Sequence, residues 1–193
     1  LVVAGDTVVK VPGLVKSVSD FCIKNNIPLV TTYSAKGILP PEHPLNYEAI
    51  SSYMNVILEH DGRKAIFGES DLLLLVGYDL VEHYPNAWKD TQPKKIINLN
   101  CYHNSISSLL KIDANIIGNI GLNLETISNK ISKVKYQHSG VTKLKKVIAD
   151  NLANKQIYSE GVLVNQVLGQ LDSHYSSYIL CNDIGTHRHV TAV

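Results

Sequence analysis

A chain of 193 residues with 18 basic and 17 acidic side chains, a net charge of +1 and 45% hydrophobic residues has an ordinary globular composition. It is long enough to bury one sizeable core and part of a second. Its lysines are scattered, which argues against a nucleic-acid partner, and no apolar run approaches the roughly 18 residues that cross a bilayer.

In chain order, strands and helices alternate. "LVVAG" at residues 1 to 5 reads as a strand, and Val15, Val18, Phe21 and Cys22 fall on one face of a helix that ends near Asn25-Asn26. "IPLVTT" at 27 to 32 is the second strand, with Pro28 near its start, where no ladder donor is needed. Helical segments around Ala49 to Leu58 and Arg63 to Phe67 lead to "DLLLLVGY". There the five apolar residues Leu72 to Val76 are stopped by Gly77, as expected of a strand buried on both faces. "KKIINLN" at 94 to 100 and "ANIIGN" at 114 to 119 are further strands. "LNLETISNKIS" from Leu122 is a closing helix, with Leu124, Ile127 and Ile131 at core spacing. The rhythm predicts an α/β domain of Rossmann-like type, a doubly wound parallel sheet with helices on both faces. Such sheets bind ligands in a crevice at the carboxyl ends of their strands.

The composition changes after Ile131, where Lys, Asn, Ser and Gln dominate and only Leu144, Val147 and Ile148 suggest a helical patch. The expected organisation is a first domain over 1–133, a linker over 134–157, and an incomplete second α/β domain over 158–193. That last part holds a helix marked by Val162, Val164, Val167, Leu168 and Leu171, and a strand "SYILCND" at 177 to 183. The strand at residue 1 and the break at residue 193 suggest a piece of a longer protein. Cys22, Cys101 and Cys181 are odd in number and form no Cys-x-x-Cys pair, so reduced thiols are expected. With no signal-peptide pattern at the start, the expected compartment is the cytoplasm.

Motifs that carry chemistry are sparse. No Gly-x-Ser-x-Gly elbow and no phosphate-cradling P-loop occurs. His187 and His189 with Asp183 have the wrong spacing to converge on a metal, and Glu82, His83 and Tyr84 have no partner in the sequence that would make them an acid–base pair. No catalytic residue and no metal ligand is expected within these 193 residues.

The order "LVVAG", "IPLVTTYSAKGILPPEHPL", "DLLLLVGYDL", "KKIINLN", "IIGNIGLNLETI", linker, then "ILCNDIGTHRH" resembles the central domain of thiamine diphosphate enzymes of the acetolactate synthase family, followed by the start of their diphosphate-binding domain. Thr32 to Lys36-Gly37, His43-Pro44 and Asp71 to Gly77 carry the family likeness. Gly77-Tyr78-Asp79, Glu82, Pro85 and Trp88 resemble the subgroup that makes acetolactate from two pyruvates without flavin.

The resemblance implies a parent enzyme that uses thiamine diphosphate and magnesium on a small 2-keto acid, and a homo-oligomer in which two subunits build each site. It implies that Ile184, Gly185, Thr186 and His187 approach the cofactor's diphosphate. There the backbone N–H groups at a helix start and the Thr186 and His187 side chains would be donors to phosphate oxygens. The family's activating glutamate and its Gly-Asp-Gly metal segment do not occur here, so the isolated chain is expected to be inactive. Gly5 is followed by Asp6-Thr7 instead of a glycine pair, and no Gly-x-Gly-x-x-Gly appears, which weighs against FAD. The other function class open to this sequence is a stand-alone nucleotide-binding module for FAD or NAD without catalysis.

Overall fold

The computed structural model describes residues 1–49, 67, 70–79, 95–104, 110–135, 146 and 164–181. Six strands, β1 (Val2–Ala4), β2 (Leu29–Thr31), β3 (Asn46–Ala49), β4 (Leu72–Val76), β5 (Lys95–Asn100) and β6 (Ala114–Ile117), form one sheet in the order β3-β2-β1-β4-β5-β6. Every pairing is parallel, and Val3 stands opposite both Val30 and Leu75. Helices α1 (Thr7–Lys10) and α2 (Leu14–Asn25) follow β1, α3 (Ile120–Ser128) follows β6, and α4 (Val164–His174) lies in the downstream segment.

Alternation along the strands divides the core. Val2, Ala4, Leu74, Val76 and Leu99 join Val8, Val18, Phe21, Ile120 and Leu124 in the cluster that packs α2 and α3 on one face. Val3, Val30, Leu73 and Leu75 point to the other face and are 0% exposed, so both faces are covered, as a doubly wound parallel sheet requires. Burial of each large apolar side chain contributes about 2 kcal/mol, and apolar runs on β1, β2 and β4 place these strands at the centre. Ile97 and Ile116 are only half-buried, because β6 is an edge strand and β5 its neighbour.

Four local expectations change. α2 buries Leu14, Val18, Phe21, Cys22 and Asn25, while Val15 is 39% exposed. The buried stripe keeps Val18, Phe21 and Cys22 as expected, but Leu14 takes the place of Val15 at its start, and the helix begins from Gly13 in the left-handed region at φ +82°. The helix expected from Ala49 gives way at that residue to β3, whose Asn46 amide donates to the carbonyls of Leu39 (3.4 Å) and Pro40 (3.1 Å); residues 50–66 lie outside the described ones. α3 begins at Ile120, two residues before Leu122, because Asn119 caps it by accepting the Leu122 N–H at 3.0 Å, and it ends before Ile131. Residues 177–181 form no strand, and Ile179 is 93% exposed: a parallel strand needs a partner for its backbone groups, and none pairs with this segment among the described residues.

Burial pushes the Cys22 thiol up to about 12. An unfolded thiol ionises near ~8.5, so the folded form keeps a proton that the unfolded form has lost between these values. The stabilisation is complete below about pH 8.5 and falls by about 1.4 kcal/mol per unit as pH rises toward the folded value. Urea unfolding at about pH 8 and about pH 10 should therefore show a smaller loss in Cys22→Ala than in the unaltered chain. Equal losses would mean that the thiol ionises freely inside the fold.

Candidate functional site at the carboxyl edge of the sheet

From β1 the chain winds outward to β2 and β3, and from β4 it winds the opposite way to β5 and β6. The direction reverses between β1 and β4, so the crevice belongs where Gly5-Asp6-Thr7 and Gly77-Tyr78-Asp79 leave the sheet. These two loops touch. Gly5 N–H donates to the Val76 carbonyl at 2.9 Å and Thr7 N–H to the Gly77 carbonyl at 3.3 Å. A Cβ on Gly5 would lie 2.5 Å from the Gly77 oxygen and 2.5 Å from the Tyr78 Cα, a separation that real Cβ atoms do not adopt. Gly77 itself turns the β4 loop with φ +58°, and a Cβ there would meet the Thr7 Cβ at 2.8 Å.

Asparagines at the end of β5 fix the second loop. Asn100 is 0% exposed; its amide donates to the Tyr78 carbonyl at 3.2 Å and its oxygen accepts the Cys101 N–H at 2.8 Å. Asn104 donates to the same Tyr78 carbonyl at 3.0 Å. Asn98, 1% exposed, donates to Asn115 at 2.9 Å and to Asn104 at 3.3 Å. On the β1 side Asp6 is ion-paired with Lys10 through one oxygen, while its other oxygen is buried without a hydrogen-bond partner among the described residues. The Thr7 hydroxyl lies 3.4 Å from the Tyr102 hydroxyl. A cavity of about 290 Å³ opens beside this edge, lined by Val11, Pro12, Cys101, Asn119 and Ile120 among others. Two larger hollows lie away from the crevice, one of about 470 Å³ between α2 and α3 and one of about 440 Å³ over the lower half of the sheet face.

The edge thus offers neutral amides, hydroxyls and the carboxylates of Asp6 and Asp79, the first of them paired with Lys10, which suits hydrogen-bonded positioning. Among the described residues no three His, Cys, Asp or Glu side chains converge to hold a metal, and no helix is long and apolar enough to cross a membrane. Of the residues singled out from the sequence, Thr32 is buried at the crevice with its N–H on the Ala4 carbonyl at 2.9 Å. Lys36-Gly37 lies on the turn after β2, and His43 accepts the Leu45 N–H at 3.2 Å, shaping the Pro44 turn. Asp71 is at the amino end of β4, away from the crevice, where its carbonyl accepts the Lys95 N–H at 3.1 Å. Ile184, Gly185, Thr186 and His187 lie outside the described residues, as do Glu82, His83, Tyr84, Pro85 and Trp88. Sequence reasoning missed the Asn98, Asn100 and Asn104 network; its only signal was two asparagines in "INLN", within an otherwise apolar strand.

An open, all-parallel sheet with strand order 3-2-1-4-5-6 and a crevice at its reversal defines a Rossmann-like α/β domain. Residues 1–127 match the family described as thiamine pyrophosphate enzyme, central domain, and the chain belongs to that family. It is also similar to the acetolactate synthase of Bacillus subtilis (strain 168), with 24% identity over 191 residues covering 91% of this chain and 31% of that protein. The chain therefore spans about a third of the length of this relative.

Proposed function

We propose that this chain is the central domain, joined to the opening of the diphosphate-binding domain, of a thiamine diphosphate-dependent carboligase that converts two pyruvates to acetolactate and CO2. The observation that carries this reading is the extent of the likeness: it covers 91% of the chain and so continues past residue 127, where the central-domain match ends. The domain limits in this reading are 1–133, 134–157 and 158–193.

Thiamine diphosphate, when bound, supplies the nucleophilic carbon and the electron sink for decarboxylating a 2-keto acid. This chain's part is to hold it. In this reading the backbone N–H groups at Ile184 and Gly185, the Thr186 hydroxyl and the His187 ring would be donors to an anionic diphosphate, and glycine at 185 would permit close backbone approach. Magnesium would be held by groups beyond the described residues, consistent with a site completed by other parts of the enzyme and by a second subunit. The reading is of a cytoplasmic enzyme without flavin. Gly5 packs closely on Gly77 and Tyr78, and it is followed by Asp6-Thr7 where a dinucleotide fingerprint would continue with glycine.

The test is to assay acetolactate formation from pyruvate, with thiamine diphosphate and magnesium, by the 193-residue chain and by a longer protein that contains it. Turnover is expected only from the longer protein, in which Gly185→Val should weaken cofactor binding and His83→Ala should leave it nearly unchanged. Turnover by the chain alone, or cofactor affinity untouched by Gly185→Val, would refute the placement of the site. Loss of any reaction with pyruvate in the longer protein would refute the carboligase.

A further inference from the structure

The chain does not leave the domain where α3 ends at Ser128. It runs back to the last turn of α2, where the Val134 N–H donates to the Asn25 carbonyl at 2.9 Å and the Asn26 amide donates to the Val134 carbonyl at 2.9 Å. Both backbone groups of Val134 are thus held, as they would be by a neighbouring strand. Around this point Lys24 donates to the Asn129 side chain at 3.3 Å, and the buried Asn25 amide donates to Ser128 at 2.9 Å and to the Phe21 carbonyl at 2.8 Å. On the apolar side, Ile131 and Val134 join Phe21, Ile27 and Ile127 around the hollow of about 440 Å³.

Asn26 ends α2 in the left-handed region, at φ +55°. Glycine fits that position with less strain, so the cap alone does not call for asparagine. What asparagine adds is the amide that reaches Val134.

We propose that Asn25 and Asn26 form a clasp that fixes the point where the chain departs from this domain, at Val134 against the end of α2. Residues 129–134 are thereby held on the domain and do not count toward the connection to whatever follows. A connection that starts from a fixed point and has fewer residues spans a shorter distance, which narrows the positions open to the next segment. The clasp is a positional device that goes beyond the proposed reaction and holds whatever that reaction is.

Limited trypsin digestion of the 193-residue chain tests it, because Lys130, Lys133 and Lys135 are exposed within or beside the clasped segment. Asn26→Gly keeps the left-handed cap and deletes the amide. Cleavage after Lys133 and Lys135 should then speed up roughly three- to tenfold, the change expected when one hydrogen bond is lost from a local opening equilibrium, while cleavage after Lys10 stays the same. Asn26→Asp, which presents an acceptor to the Val134 carbonyl, should accelerate cleavage at least as much. Unchanged cleavage after Lys133 in both variants would overturn the proposal. So would an increase matched at Lys10, since that would show general loosening of the fold.

Discussion

Gly5→Ala is expected to destabilise the domain by about 3 kcal/mol or more, an unusually large effect for one methyl group. The added carbon would sit 2.5 Å from two backbone atoms, the Gly77 oxygen and the Tyr78 Cα, so no side-chain rotation relieves the clash. The loops would have to part, stretching the Gly5 N–H to Val76 bond of 2.9 Å and the Thr7 N–H to Gly77 bond of 3.3 Å. Gly13→Ala is the comparison: with φ +82° and no atom within 4 Å of its Cβ position, it meets only backbone strain of about 1–2 kcal/mol. Urea denaturation followed by far-ultraviolet circular dichroism measures both. Equal costs would mean that the β1 and β4 loops separate readily and that contact does not close the crevice between them.

Asn100→Leu should cost about 2–3 kcal/mol, although it puts an apolar side chain into a core position. Asn100 is fully buried and serves two backbone groups: it accepts from the Cys101 N–H at 2.8 Å and donates to the Tyr78 carbonyl at 3.2 Å. Leucine leaves the first without its acceptor and reduces the second to the Asn104 amide at 3.0 Å. Asn104→Ala leaves Tyr78 held by Asn100 and should cost about 1 kcal/mol, while the double variant should lose more than the sum, because only then is the Tyr78 carbonyl deprived of both amides. Strict additivity would show that the two amides do not share one task.

Most of the sheet was legible in the sequence for a simple reason. β1, β2 and β4 are apolar runs bounded by glycine, proline or polar residues, and a strand buried on both faces has no other way to be written. β3 was not legible: "NYEA" is short and contains residues poor in strand propensity, so its pairing with β2 is imposed by tertiary context. Leu14 and Val15 show the limit of helical periodicity, since a stripe of i and i+3 or i+4 positions fits either residue until the packing partner is known. The site was legible at one level only. Gly77 announced a turn at a strand end, but its contact with Gly5 joins positions far apart in the chain, and pattern within one segment cannot reveal it. The asparagines of β5 were visible as an oddity, without the Tyr78 carbonyl that explains them.

The bonds that the Asn98, Asn100 and Asn104 side chains make to the Tyr78 carbonyl, to one another and to Asn115 run from amide to carbonyl or from amide to amide. These amide links themselves neither titrate nor depend on mobile ions. The anchoring of the Tyr78 carbonyl by Asn100 and Asn104 should therefore persist from acid to mildly alkaline solution and from dilute buffer to concentrated salt. Changes in a ligand's affinity across such conditions would then report charged groups, those of the ligand and of Asp6, Lys10 and Asp79 on the two loops, and not the amide anchors.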